Sequence, residues 1–240
     1  MEAMIFAAGL GTRLQSETVD KPKALVDIGG KPLIQNAIEQ LTKAGVSKIV
    51  VNVHHFSEQV IDFIKGIKWQ VPVLVSDESD KLLETGGGLK KAMHLFSKKE
   101  PILIYNVDIL SNLDLKSLLE IHIKSNALAT LVVRKRETQR YFKFDEEMQM
   151  VGWINKKTGE KKIARPETFD KAVELAFSGI HIVQPEIFDH MPEEDRFSIV
   201  KVYLELAKDK KILGFVDRST LWMDVGKPAE LEEARKLFKV

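Results

Sequence analysis

Apolar and polar positions alternate along the first half of the chain in a pattern that predicts strands and helices in turn. Short apolar runs predict buried strands at 3–8, 47–53, 71–75, 101–106 and 127–133. Between them, apolar residues recur at helical spacing and predict helices at 31–44, 57–65, 87–96 and 115–124. This alternation is typical of a mainly parallel sheet with helices on both faces.

The pattern changes after Arg134. Further apolar runs separated by turns predict strands at 141–144, 150–154 and 173–183, and later helices at 185–190, 197–208 and 228–238. A lysine-rich stretch, 156–165, lies between two of these strands. We expect one domain over 1–240 with a Rossmann-like, three-layer α/β/α fold and a mainly parallel mixed sheet. Its two halves are 1–134 and 135–240.

Composition narrows the chemistry that such a fold could carry. The formal net charge is +1 over 240 residues, which does not suggest a nucleic-acid partner bound by bulk electrostatics. Cysteine is absent, so disulfides, thiolate metal sites and cysteine nucleophiles are excluded. The first residues lack the basic start and long apolar run of a signal peptide, and no stretch reaches the roughly 20 apolar residues of a membrane helix. We expect a soluble, cytoplasmic protein with no membrane partner.

A glycine loop follows the first predicted strand and is a candidate phosphate site. Glycine lets backbone amides approach phosphate oxygens, and a guanidinium suits phosphate geometry. The candidate residues are Ala8, Gly9, Gly11, Thr12 and Arg13, with Lys23 as a second cation. The loop lacks the third glycine of the dinucleotide-binding fingerprint and the Gly-Lys-Ser/Thr ending of a Walker A loop. By itself it could also be a simple turn with surface cations.

Several patches together resemble the sugar-phosphate nucleotidyltransferase family. AAGLGTRL is followed by KPKALVDIGGKPLI, and further along stand LETGGGL, NVDIL, LAFSGIHIV and WMDVG. The resemblance extends over essentially the whole chain and implies a GT-A-like nucleotidyltransferase fold. It makes 1–134 the nucleotide-binding half and 135–240 the sugar-phosphate half. Longer relatives append a C-terminal β-helix, which we do not expect here.

The resemblance also implies roles for individual residues. Arg13, Lys23 and Asp108 would be catalytic, and Asp108 and Asp224 would hold Mg²⁺. The nucleotide-binding set is Ala8, Gly9, Gly11, Thr12, Thr85, Gly86 and Gly87. The sugar-phosphate set is Asn106, Ser178, Gly179 and Arg165, with Lys161 and Lys162 as further candidates. Taken alone, an aspartate after a strand is more often a turn or cap residue, and a lysine-rich turn is usually a solvated one.

The residue inventory suits attack by a sugar 1-phosphate on a nucleoside triphosphate. A phosphate monoester has a second pKa of about 6, so the attacking oxygen is already ionised at neutral pH and needs no general base. The difficulty is that two anions must meet, which calls for cations, backbone amides and Mg²⁺ held by carboxylates. The inventory alone would also fit other phosphoryl-transfer enzymes.

The patches most resemble short N-acetylmuramate 1-phosphate uridylyltransferases of peptidoglycan recycling. A guanylyltransferase that uses GTP with mannose or heptose 1-phosphate shares much of the pattern. A non-catalytic nucleotide-sugar-binding subunit should have lost part of the phosphate and metal set, and a glycosyltransferase usually presents a DxD pair. Gln15 and Ser16 depart from many relatives, which carry a longer cation and a proline there. The sequence leaves monomer and dimer both open.

Overall fold

A computed structural model describes residues 1–238, apart from the side chains of Gln15 and Ser16, so the departures noted at these two positions lie outside the described side chains. The strands in chain order are β1 (Glu2–Phe6), β2 (Asp27–Ile28), β3 (Lys31–Pro32), β4 (Ile49–Val53), β5 (Val73–Asp77), β6 (Ile102–Asn106), β7 (Ile109–Ser111), β8 (Ala129–Arg134), β9 (Arg140–Phe144), β10 (Met150–Asn155), β11 (Lys161–Ile163), β12 (Val173–Val183), β13 (Ile212–Val216) and β14 (Trp222–Asp224). The α-helices are α1 (Leu33–Lys43), α2 (Ser57–Lys65), α3 (Glu84–Ala92), α4 (Leu115–Ser125), α5 (Pro166–Phe169), α6 (Ile199–Leu206) and α7 (Pro228–Leu237). Short 3₁₀ helices lie at Thr12–Thr18, Lys23–Leu25, Met93–Leu95 and Pro185–His190.

The central sheet is mixed but mainly parallel, as the pattern predicts. Its strands follow the order β13-β8-β12-β6-β1-β4-β5. β1 pairs in parallel with β4 and β6, β4 with β5, and β8 with β13. β12 alone runs against its two neighbours in this order, β6 and β8. The α/β/α, GT-A-like fold class is therefore confirmed.

Two apolar clusters cover the two faces of the sheet because alternate strand residues point to opposite sides. In β1, Ala3 and Ile5 belong to one cluster and Met4 belongs to the other. Helices α1, α2, α4 and α7 bury their apolar residues in the first cluster, and α3 and α6 in the second. Strands β1, β4 and β6 are buried almost throughout, which is typical of parallel strands covered on both sides.

β12 links the central sheet to an antiparallel extension. Its first residues pair with β9, which continues through β10 to β11. The register shifts between Phe177 and His181, where the strand bulges. Gly179 sits in this bulge at φ 78°, and a Cβ there would lie 2.9 Å from Asn106 Nδ2. Glycine is required because the backbone is left-handed and Asn106 is close.

Several elements differ from the sequence expectation. β7 and β14 were not predicted, because three-residue strands carry too few residues for a periodic signal. The five-residue strand β13 was not predicted either. The lysine-rich stretch 156–165 contains strand β11. None of the helices in residues 1–238 is long and apolar enough to cross a membrane.

Two histidines are buried in the sheet region without a carboxylate beside them. His181 packs against Phe177 and Tyr203, with ring centroids 5.4 and 5.6 Å away, and neither ring nitrogen has a hydrogen-bond partner in the described structure. His122 lies 2.9 Å from Thr130 Oγ1 through Nδ1. Burial lowers the pKa of His181 to about 3 and that of His122 to about 4. Both rings are therefore neutral in the folded protein at neutral pH.

We expect the free energy of unfolding to fall as the pH drops from 6.5 toward 4. In this window unfolded histidines bind protons that His181 and His122 do not, which adds a slope of roughly 1.4 kcal/mol per pH unit for each. Urea titrations at stepped pH should show a shallower slope for His181→Leu than for the wild type. His94→Gln, which removes an exposed histidine, should keep the wild-type slope. An unchanged slope in His181→Leu would contradict the assignment.

Candidate active site

A cavity of about 440 Å³ opens at the carboxyl ends of β1, β4, β5 and β6, where open α/β sheets place their ligands. Residues of the glycine loop, of the strand ends and of the start of α3 line it. They are Phe6, Ala7, Ala8, Gly9, Leu10, Gly11, Thr12, Arg13, Lys23, Asn52, Glu78, Leu82, Glu84, Thr85, Asn106, Val107, Asp108 and Gly226. Most of the predicted nucleotide-binding and catalytic residues therefore share one cavity.

The start of the glycine loop is fixed from below by two buried polar side chains that sequence reasoning missed. Asn52 accepts a hydrogen bond from the Ala7 amide at 2.8 Å and donates to Glu78 Oε1 at 2.7 Å. Burial raises the pKa of the Glu78 carboxyl. The only signal in the sequence was that each is a polar residue near the end of an apolar strand: Asn52 lies in β4 and Glu78 directly follows β5. Such buried polar pairs orient the backbone because each group needs its partner.

The end of the loop is held by the last helix. Arg235 on α7 makes a bidentate ion pair with Glu17. Its Nη1 donates to Oε1 at 3.0 Å, and its Nη2 donates to Oε2 at 2.9 Å. Glu17 belongs to the 3₁₀ helix that starts at Thr12 and carries Arg13. The Arg13 guanidinium lies beside Gly226, since a Cβ on that glycine would be 2.9 Å from Arg13 Nη2. Arg13 is thereby presented at the cavity from a loop anchored at both ends.

The two predicted metal carboxylates meet because two short strands pair. Asp108 follows β6 and precedes β7, and Asp224 ends β14. In the antiparallel β7–β14 ladder Asp224 faces Ile109, and the Val225 amide donates to the Asp108 carbonyl at 2.9 Å. Burial raises the pKa of Asp224, and the negative charge of Asp108 raises it further. The two carboxylates are thus near enough to repel each other.

Two cations oppose this repulsion. Lys23, whose side chain is only 9% exposed, forms an ion pair with Asp108. The charges of Lys23 and Arg13 both lower the pKa of Asp224. A buried lysine needs such a partner, because an unpaired ammonium would lose its hydration without compensation. The structure therefore brings together all four residues of the predicted phosphate and metal set.

The carboxylate donors fit a magnesium ion. Mg²⁺ is usually held by one or two carboxylates and completes its shell with water and substrate phosphates. Asp108 lines the cavity, and Asp224 is near enough to interact with its charge, so the two could supply such carboxylates. Residues 1–238 contain no cluster of three or more metal-ligating side chains. A cation here would accordingly draw the rest of its ligands from a phosphate substrate and from water.

The structure places Gly86 and Gly87, which are predicted to bind the nucleotide, at a packing contact. Their amides already donate to the Phe197 carbonyl, at 2.9 and 3.1 Å, and neither residue lines the cavity. A Cβ on Gly87 would overlap the Asp195 carbonyl oxygen. These glycines are small because the start of α3 packs directly on the segment before α6. Thr85 does line the cavity, and its Oγ1 accepts from the Ile199 amide at 3.0 Å.

Only some of the residues predicted to bind the sugar phosphate lie at the cavity. Asn106 lines the cavity, with Gly179 against it. Ser178 is fully buried, and its carbonyl accepts from Trp222 Nε1 at 2.9 Å.

Arg165 is not brought to the site. Its guanidinium donates to the carbonyls of Ala207 and Lys210 and to Gln149. These contacts tie β11 and α5 to the end of α6, and Arg165 lines neither cavity described here. Lys161 and Lys162 lie on β11, which is exposed, at the outer edge of the extension.

A second cavity, of about 310 Å³, is lined by Asp224. Its lining comes from the segment after β8, from β14 and from α7: Arg136, Glu137, Trp222, Met223, Asp224, Lys227, Glu230 and Glu233. Sequence reasoning did not select Arg136, because an arginine just after a strand carries no recognisable signal.

Comparisons with known proteins identify the family and the fold of the chain. Residues 2–239 match the family described as nucleotidyl transferase. The chain is 32% identical to an N-acetylmuramate alpha-1-phosphate uridylyltransferase of Caulobacter vibrioides, over 94% of this chain and 92% of that protein. It is 33% identical to a mannose-1-phosphate guanyltransferase of Yarrowia lipolytica, over 99% of this chain but only 64% of that protein. In fold it is similar to HddC from Yersinia pseudotuberculosis, with a TM-score of 0.79, 24% identity and 99% of each chain covered.

The chain therefore belongs to the nucleotidyl transferase family, as the motifs predict, and it is an enzyme of that class. Within the family, the Caulobacter uridylyltransferase is similar to it along nearly the full length of both proteins. The Yarrowia guanyltransferase extends well beyond the part that this chain matches.

Two glycine substitutions should distinguish a glycine needed for packing, Gly87, from a glycine that gives a ligand access to the loop, Gly9. Gly87→Ala would force the Asp195 backbone to move, so we expect a loss of about 1–3 kcal/mol in unfolding free energy. Gly9 has no atom within 4 Å of an added Cβ, so Gly9→Ala should fold normally but weaken nucleotide binding at the loop. Urea unfolding and titration with a nucleoside triphosphate measure the two effects. Equal stability of the two variants would contradict the packing role of Gly87.

Proposed function

We propose that this protein catalyses the Mg²⁺-dependent transfer of a nucleotidyl group from a nucleoside triphosphate to a sugar 1-phosphate, giving a nucleotide-sugar and pyrophosphate. The observation that carries the proposal is the grouping of Arg13, Lys23, Asp108 and Asp224 beside a glycine loop. The first three line one cavity, and Asp224 is near enough to interact with the charge of each of them. The family membership supports the same reaction.

The reaction brings two anions together, and different residues would neutralise different parts of their charge. An oxygen of the sugar phosphate attacks the α-phosphorus, while the bond from that phosphorus to the pyrophosphate oxygen breaks. The loop amides and Arg13 would hold the departing phosphates, and Lys23 would neutralise charge near the α-phosphoryl group. Asp108 and Asp224 would hold Mg²⁺, which supplies Lewis-acid stabilisation of phosphoryl charge when bound. No proton transfer by a side chain is needed, because the acceptor phosphate is already ionised.

We propose UTP and N-acetylmuramate 1-phosphate as the substrate pair. The support is the similarity to the Caulobacter uridylyltransferase, which covers 92% of that protein. GTP with mannose or heptose 1-phosphate is the alternative, supported by the Yarrowia guanyltransferase at comparable identity. A non-catalytic nucleotide-sugar-binding subunit is the alternative of another class. The complete set of Arg13, Lys23, Asp108 and Asp224 weighs against it.

Pyrophosphate release tests the proposal directly. Each of UTP, GTP, CTP, ATP and dTTP would be combined with N-acetylmuramate, N-acetylglucosamine, glucose, mannose and heptose 1-phosphates in the presence of Mg²⁺. A signal with UTP and N-acetylmuramate 1-phosphate is the expected result. A signal only with GTP keeps the reaction and changes the substrates, whereas silence from folded protein across the grid would overturn the enzymatic proposal.

Asp108→Asn should lower turnover by about two orders of magnitude or more while the protein stays folded. The substitution keeps the shape of the side chain and removes one of two charges available to the metal. Asp77→Asn is the matched control, because Asp77 is exposed and its Oδ1 accepts from the Ser79 amide, as an amide oxygen also could. Turnover is measured by pyrophosphate release, and full activity in Asp108→Asn would contradict the metal assignment.

Lys23→Ala should reduce kcat strongly, because it removes the cation that Asp108 pairs with at the cavity. Lys21→Ala removes the same charge two residues earlier, from a side chain that does not line the cavity, and should retain most of the activity. If Lys23→Ala changed only the KM for the sugar phosphate, the role on the triphosphate side would be wrong.

A further inference from the structure

Arg134 ends β8 and Arg136 lies two residues further on, and the two arginines are paired differently. Arg134 forms an ion pair with Asp217 at 2.6 Å and also donates to Ser219. Arg136 has no carboxylate in hydrogen-bond or ion-pair contact among the described residues. Its Nη2 donates to the Phe177 carbonyl at 2.9 Å, and its guanidinium lies over the ring of Trp222, 4.7 Å from the centroid.

The pairing of Arg136 is incomplete for a cation that has lost much of its water. Its Nε is buried and has no hydrogen-bond partner in the described structure. Burial lowers the pKa of the guanidinium, although the charge of Asp224 opposes that shift. Buried charges are normally paired, because lost hydration must be replaced. A held, planar, unpaired guanidinium is suited to receive an oxyanion from a ligand.

The position of Arg136 shows which ligand could supply that oxyanion. It lines the second cavity together with Trp222 and Asp224. Asp224 also interacts with the charges of Asp108, Lys23 and Arg13, which line the cavity of the glycine loop, where the triphosphate would be held. Trp222 is fixed by its own hydrogen bond to the Ser178 carbonyl, so it offers a rigid aromatic face. The second cavity is therefore placed to receive the acceptor.

The other charged groups around this cavity leave Arg136 as the available cation. Lys227 is 3.1 Å from Glu230 and is already paired. Glu137 and Glu233 are exposed, and Asp224 lies near Lys23 and Arg13. Carboxylates suit sugar hydroxyls, which donate, but repel an anionic group. Among the described lining residues, only Arg136 and the paired Lys227 could attract one.

We propose that Arg136 is the anion-binding residue of the acceptor site and that it grips an oxyanion of the sugar 1-phosphate, with Trp222 as its platform. The oxyanion is either the phosphate itself or a carboxylate carried by the sugar. The proposal deepens the proposed function and rests on it for the identity of the acceptor. It adds a specificity-determining residue to the predicted set.

The test compares Arg136→Gln and Arg136→Lys with Lys135→Gln, a control that removes the same charge from the exposed neighbour. Binding of N-acetylmuramate 1-phosphate and of N-acetylglucosamine 1-phosphate is measured by calorimetric titration in the presence of Mg²⁺, which does not require turnover. We expect Arg136→Gln to weaken acceptor binding about tenfold or more, since hydrogen bonds to charged groups are of that order. Arg136→Lys should recover part of the loss, and UTP affinity should stay within about twofold.

The two acceptors separate the two sources of the oxyanion, because they differ by the carboxylate-bearing lactyl group. Equal losses for both assign Arg136 to the phosphate, and a loss confined to N-acetylmuramate 1-phosphate assigns it to the carboxylate. Wild-type affinity in Arg136→Gln, an equal loss in Lys135→Gln, or no binding of either acceptor by the wild type would overturn the proposal. Acceptor binding that depends on Arg136 without pyrophosphate release would overturn the proposed reaction alone.

Discussion

The pairing of β7 with β14 is the contact on which the site depends. It joins the segment after β6 to a segment near the end of the chain and sets Asp108 beside Asp224. Placing two carboxylates together costs free energy through repulsion and lost hydration, and the raised pKa of Asp224 reflects that cost. Lys23 and Arg13 offset it. This balance of charges suits the ligands of the proposed reaction, a divalent cation and a phosphate.

Much of the fold could be predicted from periodicity, and much of the site from motifs, but for different reasons. Buried parallel strands and amphipathic helices produce long apolar patterns, so β1, β4, β6, α1 and α4 were found close to their observed bounds. The short strands β7 and β14 have no such pattern. Without them the sequence could place Asp108 and Asp224 on a common metal only by resemblance, not by geometry.

At the residues that the structure places away from the cavity, the difference from the expectation has a common physical origin. Gly86 and Gly87 look like phosphate-binding glycines, yet packing against Phe197 and Asp195 explains their size. Arg165 looks like a substrate cation, yet backbone carbonyls use its guanidinium. Sequence shows that a side chain is small or charged. Only the tertiary structure shows which neighbours that side chain packs against or hydrogen-bonds to. It also shows which charged groups, such as Arg136, lack a charged partner among the described residues.

The ion pair between Arg235 and Glu17 couples the two ends of the chain. Through it, the last helix restrains the first loop, and thermodynamic linkage requires the restraint to act equally in the other direction. If a bound triphosphate stiffens the loop, it also stabilises α7 against local opening. The gain in stability of α7 then equals the gain in free energy of triphosphate binding that the docked α7 provides. Slow amide exchange near the carboxyl terminus would then report occupancy of a site whose glycine loop lies near the amino terminus.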